Sequence, residues 1–177
     1  MTQQDQSLEN SPDESQAVDA RLTATAYHEA GHAVMALKLG RPIQKVTISP
    51  AQLQNGGNRL GACEIQKGQH KSSKDWLEES VLILFSGMVA ESHFTEQYCF
   101  EGASQDLRIA KRLLASRART ESQLKRLERR LLSKTEYLLG NRENSKAVEL
   151  IANELLQKET ISGRAVRHLI QLATQQV

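Results

Sequence analysis

Apolar residues recur at a helical period from Ala24 to Leu39, with Ala26, Ala33, Val34 and Leu37 on one face that reads as buried. Asp19 or Thr23 can cap this helix at its start, and Gly40 followed by Pro42 is a regular stop signal. The pattern then changes. Lys45-Val46-Thr47-Ile48 alternates as a half-buried strand does, and Leu60 to Ile65 can return as its antiparallel partner. Between them Asn55-Gly56-Gly57-Asn58 is strong turn chemistry, so the segment reads as a β-ribbon.

Helical patterning fills the rest of the chain. Ser72 and Ser73 precede a helix predicted from about Asp75 to His93, with Trp76, Leu77, Val81, Leu84, Phe85 and Met88 supplying its buried face. From Ala103 to Leu139 there is neither Gly nor Pro. Projected at about 100° per residue, Ile109, Leu113, Leu124, Leu127 and Leu131 share one stripe; Arg108, Arg112, Arg119, Arg126 and Arg130 share another. One long helix satisfies this pattern, but Thr120-Glu121-Ser122-Gln123 is a capping box that can restart a helix, which favours two. Amphipathic stretches over roughly Ser145 to Lys158 and Gly163 to Thr174 complete the set, separated near Ser162-Gly163. The expected fold class is mainly α: an array of about six helices around one core, with a small two-stranded β-ribbon.

A chain of 177 residues suits one domain with a sizeable core. No run approaches the roughly 18–20 apolar residues of a membrane span, the densest being Val81-Leu82-Ile83-Leu84-Phe85. Met1 to Glu14 is polar and carries no secretory leader pattern, and Cys63 and Cys99 form neither a zinc pair at ligand spacing nor a disulfide framework. A cytoplasmic location is the natural expectation. Charge is uneven: Asp5, Glu9, Asp13, Glu14 and Asp19 give the first twenty residues −5, so the remainder carries +7 of a total of +2. Residues 1–20, also rich in Gln and Ser, are expected to be an acidic disordered tail, and residues 21–177 a single domain. The arginine stripe lacks interleaved aromatic residues, so it reads as a solvated helix face and no nucleic-acid partner is expected. Gly56 and Gly61 have the spacing of a phosphate-binding loop, but Ala62 stands where that motif requires Lys.

The chemistry concentrates in His28-Glu29-Ala30-Gly31-His32. Histidines four residues apart lie one helical turn apart on nearly the same face, so one nitrogen of each can meet a single cation. Glu29, about 100° round the helix from His28, is badly placed as a ligand but well placed to hold a water. The bland alternative is a surface helix with two unrelated histidines. Against it stand the small interior of the motif and Gly31, a residue that costs a helix interior about 1 kcal/mol relative to alanine and so implies close approach of another element. Met35 and Lys38 occupy the positions where the metzincin pattern needs Gly and His, which excludes that class. For a third ligand the chemistry leaves two acidic candidates, Glu91 on the next helix and Asp106 in the first turn of the helix after it. An acid at a helix start is also favoured by the dipole alone, by about 0.3–1 kcal/mol. His70, His93 and His168 read as ordinary histidines.

Thr25-Ala26-Tyr27-His28-Glu29-Ala30-Gly31-His32-Ala33-Val34 resembles the zinc motif in the peptidase domain of the FtsH family, the membrane-bound ATP-dependent zinc proteases. Further similar segments follow in the family's order: Val46-Thr47-Ile48-Ser49-Pro50, Leu60-Gly61, Ser86-Gly87-Met88-Val89-Ala90-Glu91, Gly102-Ala103-Ser104-Gln105-Asp106-Leu107 and Leu155 to Gly163. The resemblance implies Zn²⁺ held by His28, His32 and Asp106, with Glu29 as catalytic general base; Gln105 departs from the family's usual Asn. It implies a zinc endopeptidase acting on unfolded proteins or peptides, bound in extended form along an edge strand near Leu60 to Glu64. It further implies a homo-oligomer, a hexamer in the family, or a separate unfoldase or FtsH-type partner, because this chain is expected to lack both the ATPase and the membrane anchor. The alternative is a non-catalytic adaptor or scaffold that assembles with FtsH-type protease rings.

Overall fold

A computed structural model describes residues 12–52, 58–66 and 75–177 of the chain. The first helix, α1, spans Pro12–Lys38, longer than its apolar pattern. Pro12 stands at the first helical position, where its missing N–H is no loss. The acidic segment expected to be disordered is therefore helical from Pro12 onward. Thr23 does not cap: its hydroxyl donates to the Asp19 carbonyl at 2.8 Å, one turn back inside the helix.

Strand β1 (Ile43–Thr47) is the centre of the sheet, not half of a ribbon. On one side it pairs antiparallel with β4 (Ala62–Ile65), with a register shift between Ile43 and Lys45; on the other it pairs with β5 (Thr160–Ser162). The expected two-stranded ribbon is thus a three-stranded sheet of order β4-β1-β5, and the separate ribbon is the short pair β2 (Ala51–Gln52) and β3 (Asn58–Arg59). Most of the predicted turn, from Asn55 to Gly57, lies outside the described residues. Strand β5 has only three residues and no periodicity of its own; pairing with β1 across more than a hundred residues defines it.

Helix α2 (Trp76–Thr95) is capped by Asp75, whose side chain accepts from the Glu78 N–H. Trp76, expected in the buried face, is 55% exposed and lies under the Arg41 guanidinium, 5.5 Å from the ring centroid. The Gly- and Pro-free stretch is two helices, α3 (Ser104–Ala115) and α4 (Glu121–Leu139), the second capped by Thr120 as its box predicts. The break resets the helical phase, so Ala110 and Leu114 are the buried residues of α3 while Ile109, on the projected stripe, is 36% exposed. Ser104 is not the cap of α3; Ala103 holds that position without a side-chain bond. Helix α5 (Arg142–Lys158), capped by Asn141, starts three residues before the predicted Ser145, and α6 (Gly163–Gln175) is capped by Ser162.

The architecture is mainly α, six helices among the described residues, with the sheet against them. The core is made by Met35, Ile43, Ile48, Leu82, Met88, Leu114, Leu131, Leu139, Ile151 and Leu155, each under 2% exposed and each stabilising by about 1.5–3 kcal/mol. At its middle α1 and α2 cross with almost no gap. A Cβ added to Gly31 would lie 2.3 Å from the Ser86 carbonyl oxygen and 2.5 Å from Ala90 Cβ. That contact is the close approach implied by a glycine inside a helix, and it brings the two histidines of α1 against α2.

Candidate metal centre

Helix α1 sets His28 and His32 one turn apart, ring centroids 4.7 Å from each other and planes at 80°. Helix α2 then fixes both rings from the same side of their chemistry. His28 Nδ1 lies 3.0 Å from Glu91 Oε2, and His32 Nδ1 lies 2.7 Å from the Ile83 carbonyl oxygen. A carbonyl only accepts, so His32 must carry its proton on Nδ1, which leaves Nε2 with a free lone pair when the ring is neutral. With both Nδ1 atoms engaged, both Nε2 atoms turn to one oxygen of Asp106 in the first turn of α3, at 3.3 Å from His28 and 3.1 Å from His32. The ligand atoms of the three residues all lie within 4.8 Å of one another, mostly shielded from solvent.

Electrostatics at this point call for a cation. Burial by itself would lower the pKa of His28, but bonds to Asp106 and Glu91 and the nearby charge of Glu29 outweigh it and push it up to about 10. Burial would likewise raise Asp106, yet its bonds to His28 and His32 hold it well below the usual carboxylate range. A proton between these groups does what a metal ion would do with more charge.

Space is cleared for the rings by Gly87 on α2. A Cβ there would stand 2.5 Å from His28 Nε2 and 2.6 Å from His32 Nε2. Glu29 sits just outside the three donors, 7% exposed, with its side chain against Gly61 at the threshold of β4. Of the acidic candidates for a third donor, Asp106 faces both Nε2 atoms while Glu91 backs His28 at the opposite ring nitrogen. Such a carboxylate orients the ring and makes it a better ligand. His93 and His168 are exposed, and His70 lies outside the described residues. Cys63 and Cys99 are not joined in a disulfide. Sequence reasoning did not single out the Ile83 carbonyl, since a main-chain acceptor leaves no residue signature, nor the contact of Gly61 with Glu29.

Comparison with known proteins gives the family. The family model described as "Peptidase family M41" matches residues 16–120, the span that holds all three donors. An ATP-dependent zinc metalloprotease FtsH from Lachnoclostridium phytofermentans is 34% identical over 169 residues, covering 80% of this chain and 28% of its own length. Its namesake from Cupriavidus metallidurans is 30% identical over 187 residues, covering 83% and 28%. A third, from Acidobacterium capsulatum, is 38% identical over 96 residues, covering 52% and 14%. The chain therefore spans little more than a quarter of the length of these relatives, or less.

Proposed function

The chain belongs to peptidase family M41, and from that premise we propose that it is a zinc-dependent endopeptidase hydrolysing peptide bonds of unfolded proteins or peptides. The observation that carries the reading is the convergence of His28, His32 and Asp106 with both Nδ1 atoms already occupied. Two imidazoles and one carboxylate suit zinc and leave a coordination position open, the mark of a catalytic site. Bound there, Zn²⁺ supplies Lewis acidity and brings the pKa of water from 15.7 towards about 7.

The residues of the chain do the rest. Glu91 and the Ile83 carbonyl hold the two rings in one orientation. Glu29 accepts a proton from the attacking water on its carboxylate and returns it to the leaving amide nitrogen, a transfer worth typically 10²–10⁴-fold. Strand β4 is an edge of its sheet, so its main chain can bind an extended peptide by strand addition. Such binding requires a substrate already unfolded. The ATP-dependent relatives lead us to infer that it works as a homo-oligomer, a hexamer, or together with a separate unfoldase or FtsH-type partner that supplies unfolded substrate. We place its activity in the cytoplasm; among the described residues no helix is long and apolar enough to cross a membrane.

Zinc analysis paired with cleavage of casein and of a short apolar peptide tests the proposal. Wild type should hold about one zinc and cleave, whereas Glu29→Gln should hold the metal and lose at least about 10²-fold in rate. If wild type with verified zinc matches a chelator-treated control on both substrates, the enzyme reading falls and the adaptor reading takes its place.

A further inference from the structure

Gly61 is buried and immediately precedes β4, the sheet edge. A Cβ built on it would meet three consecutive atoms of one side chain: Glu29 Cγ at 2.7 Å, Oε1 at 2.7 Å and Cδ at 3.0 Å. Those distances are below ordinary van der Waals contact, so the Glu29 side chain occupies the space that a Cβ would need. The backbone offers no reason of its own for glycine here. Among the described residues the glycine with positive φ is Gly40, so no left-handed backbone calls for glycine at position 61. A side chain at position 61 would take the space that the Glu29 carboxylate now holds.

We infer that Gly61 is a positioning residue, the wall against which the Glu29 carboxylate is seated and the link that ties the general base to the end of the peptide-binding edge. This role presupposes the peptidase activity proposed above. Glu29 is the second residue of the His28–His32 turn, and α1 fixes its Cα, but three side-chain torsions separate that Cα from the carboxylate oxygens. Gly61 limits them by shape, and since β4 begins at the next residue, a peptide paired along that edge starts beside the base. One glycine thereby fixes two distances at once: strand to helix and base to substrate. A misplacement of about 1 Å in a reacting group costs on the order of 10²-fold in rate.

Gly61→Ala, Glu29→Ala and the pair, made in the full chain, test the assignment. In zinc-free protein Gly61→Ala lowers the melting temperature by several degrees in the wild-type background. In the Glu29→Ala background the same change is neutral or stabilising, because the atoms in the way of the methyl are gone. If Gly61→Ala alone fails to fold, recovery of folding in the pair supports the same contact. In zinc-loaded protein Gly61→Ala keeps its metal, loses about 10²-fold in kcat with KM for a short peptide little changed, and shows a displaced acid limb in its pH profile. Equal destabilisation in both backgrounds overturns the assignment, since the backbone and not Glu29 would then require glycine. Cleavage by Gly61→Ala at the wild-type rate with an unaltered pH profile overturns it too. An inactive wild type would remove the peptidase reading and this catalytic role with it, and the stability cycle separates that result from failure of the contact.

Discussion

Gly87→Ala adds one methyl to α2 and places it 2.5 Å from His28 Nε2 and 2.6 Å from His32 Nε2. Ordinary contact begins near 3.4 Å, so the rings must give way by about 0.9 Å. They are not free to do so, because His28 is held through Glu91 at 3.0 Å and His32 through the Ile83 carbonyl at 2.7 Å. Displacing either ring weakens a bond worth about 0.5–1.5 kcal/mol, or about 1.5–3 when a charged group takes part. Overpacking costs typically 1–3 kcal/mol, but alanine gains about 1 kcal/mol over glycine inside a helix. The two nearly offset, so the variant should fold, with helical circular dichroism as in wild type and a melting temperature within a few degrees. Metal binding has no such offset. Zinc needs each Nε2 at about 2.0–2.1 Å, and disturbing the groups around ligands already costs 10–100-fold in affinity. Competition against a chromophoric chelator should show zinc affinity reduced by about 100-fold or more. Full-strength zinc binding by a folded Gly87→Ala would refute the reasoning, because the Nε2 atoms could not then be the metal-facing atoms.

Gly31→Ala should destabilise by about 1–3 kcal/mol in urea denaturation despite its gain in helix propensity, since its methyl meets the Ser86 carbonyl, which is main chain and cannot swing aside; unchanged stability would rule out the tight crossing of α1 and α2. Zinc binding near neutral pH should release about one proton per metal, because His28, pushed up to about 10, is protonated in the metal-free chain. Affinity should therefore climb as pH rises towards that value, and titration calorimetry in buffers of different ionisation heat reads the proton directly. Asp75 is held below its ordinary pKa of 3.8, first by its two bonds to Arg117 and then by the Glu78 N–H. Its contribution is present above that pH and fades as pH falls through the lower folded-state value. Asp75→Ala should cost about 1 kcal/mol at neutral pH for the lost cap, with little more from the exposed ion pair, and the deficit should shrink in strong acid. An acid-independent deficit would assign the effect elsewhere.

How far the site could be read in advance depended on sequence distance. His28 and His32 were legible because helical spacing alone aligns them. Asp106 lies 74 positions beyond His32, and chemistry could not choose between it and Glu91; only the family resemblance did. The choice becomes physical once the ring nitrogens are assigned, since Glu91 faces Nδ1 and Asp106 faces Nε2. Trp76 misled because a large aromatic at a helix start counts as core in any periodic pattern, whereas here it lies under the Arg41 guanidinium. The phase of α3 was misjudged by projecting one continuous helix through Ser116 to Thr120. Strand β5 was invisible for a different reason: three residues become a strand only when a distant partner offers its edge.

That late-coming strand bears on where a foreign chain can add to the sheet. An open three-stranded sheet has two flanks, and each unpaired flank is a template for any extended segment that drifts past. Here the protein's own Thr160–Ser162 occupies the flank of β1 away from β4. The built-in strand covers β1 on that side, so among the described residues the sheet ends at β5 on one flank and at β4, beside Glu29, on the other. Removing it would uncover a second docking rail on β1, in competition with the first and out of reach of the base. Chains lacking residues 160–177 should on these grounds self-associate through β1, and the peptides they capture should be held without being aligned for cleavage.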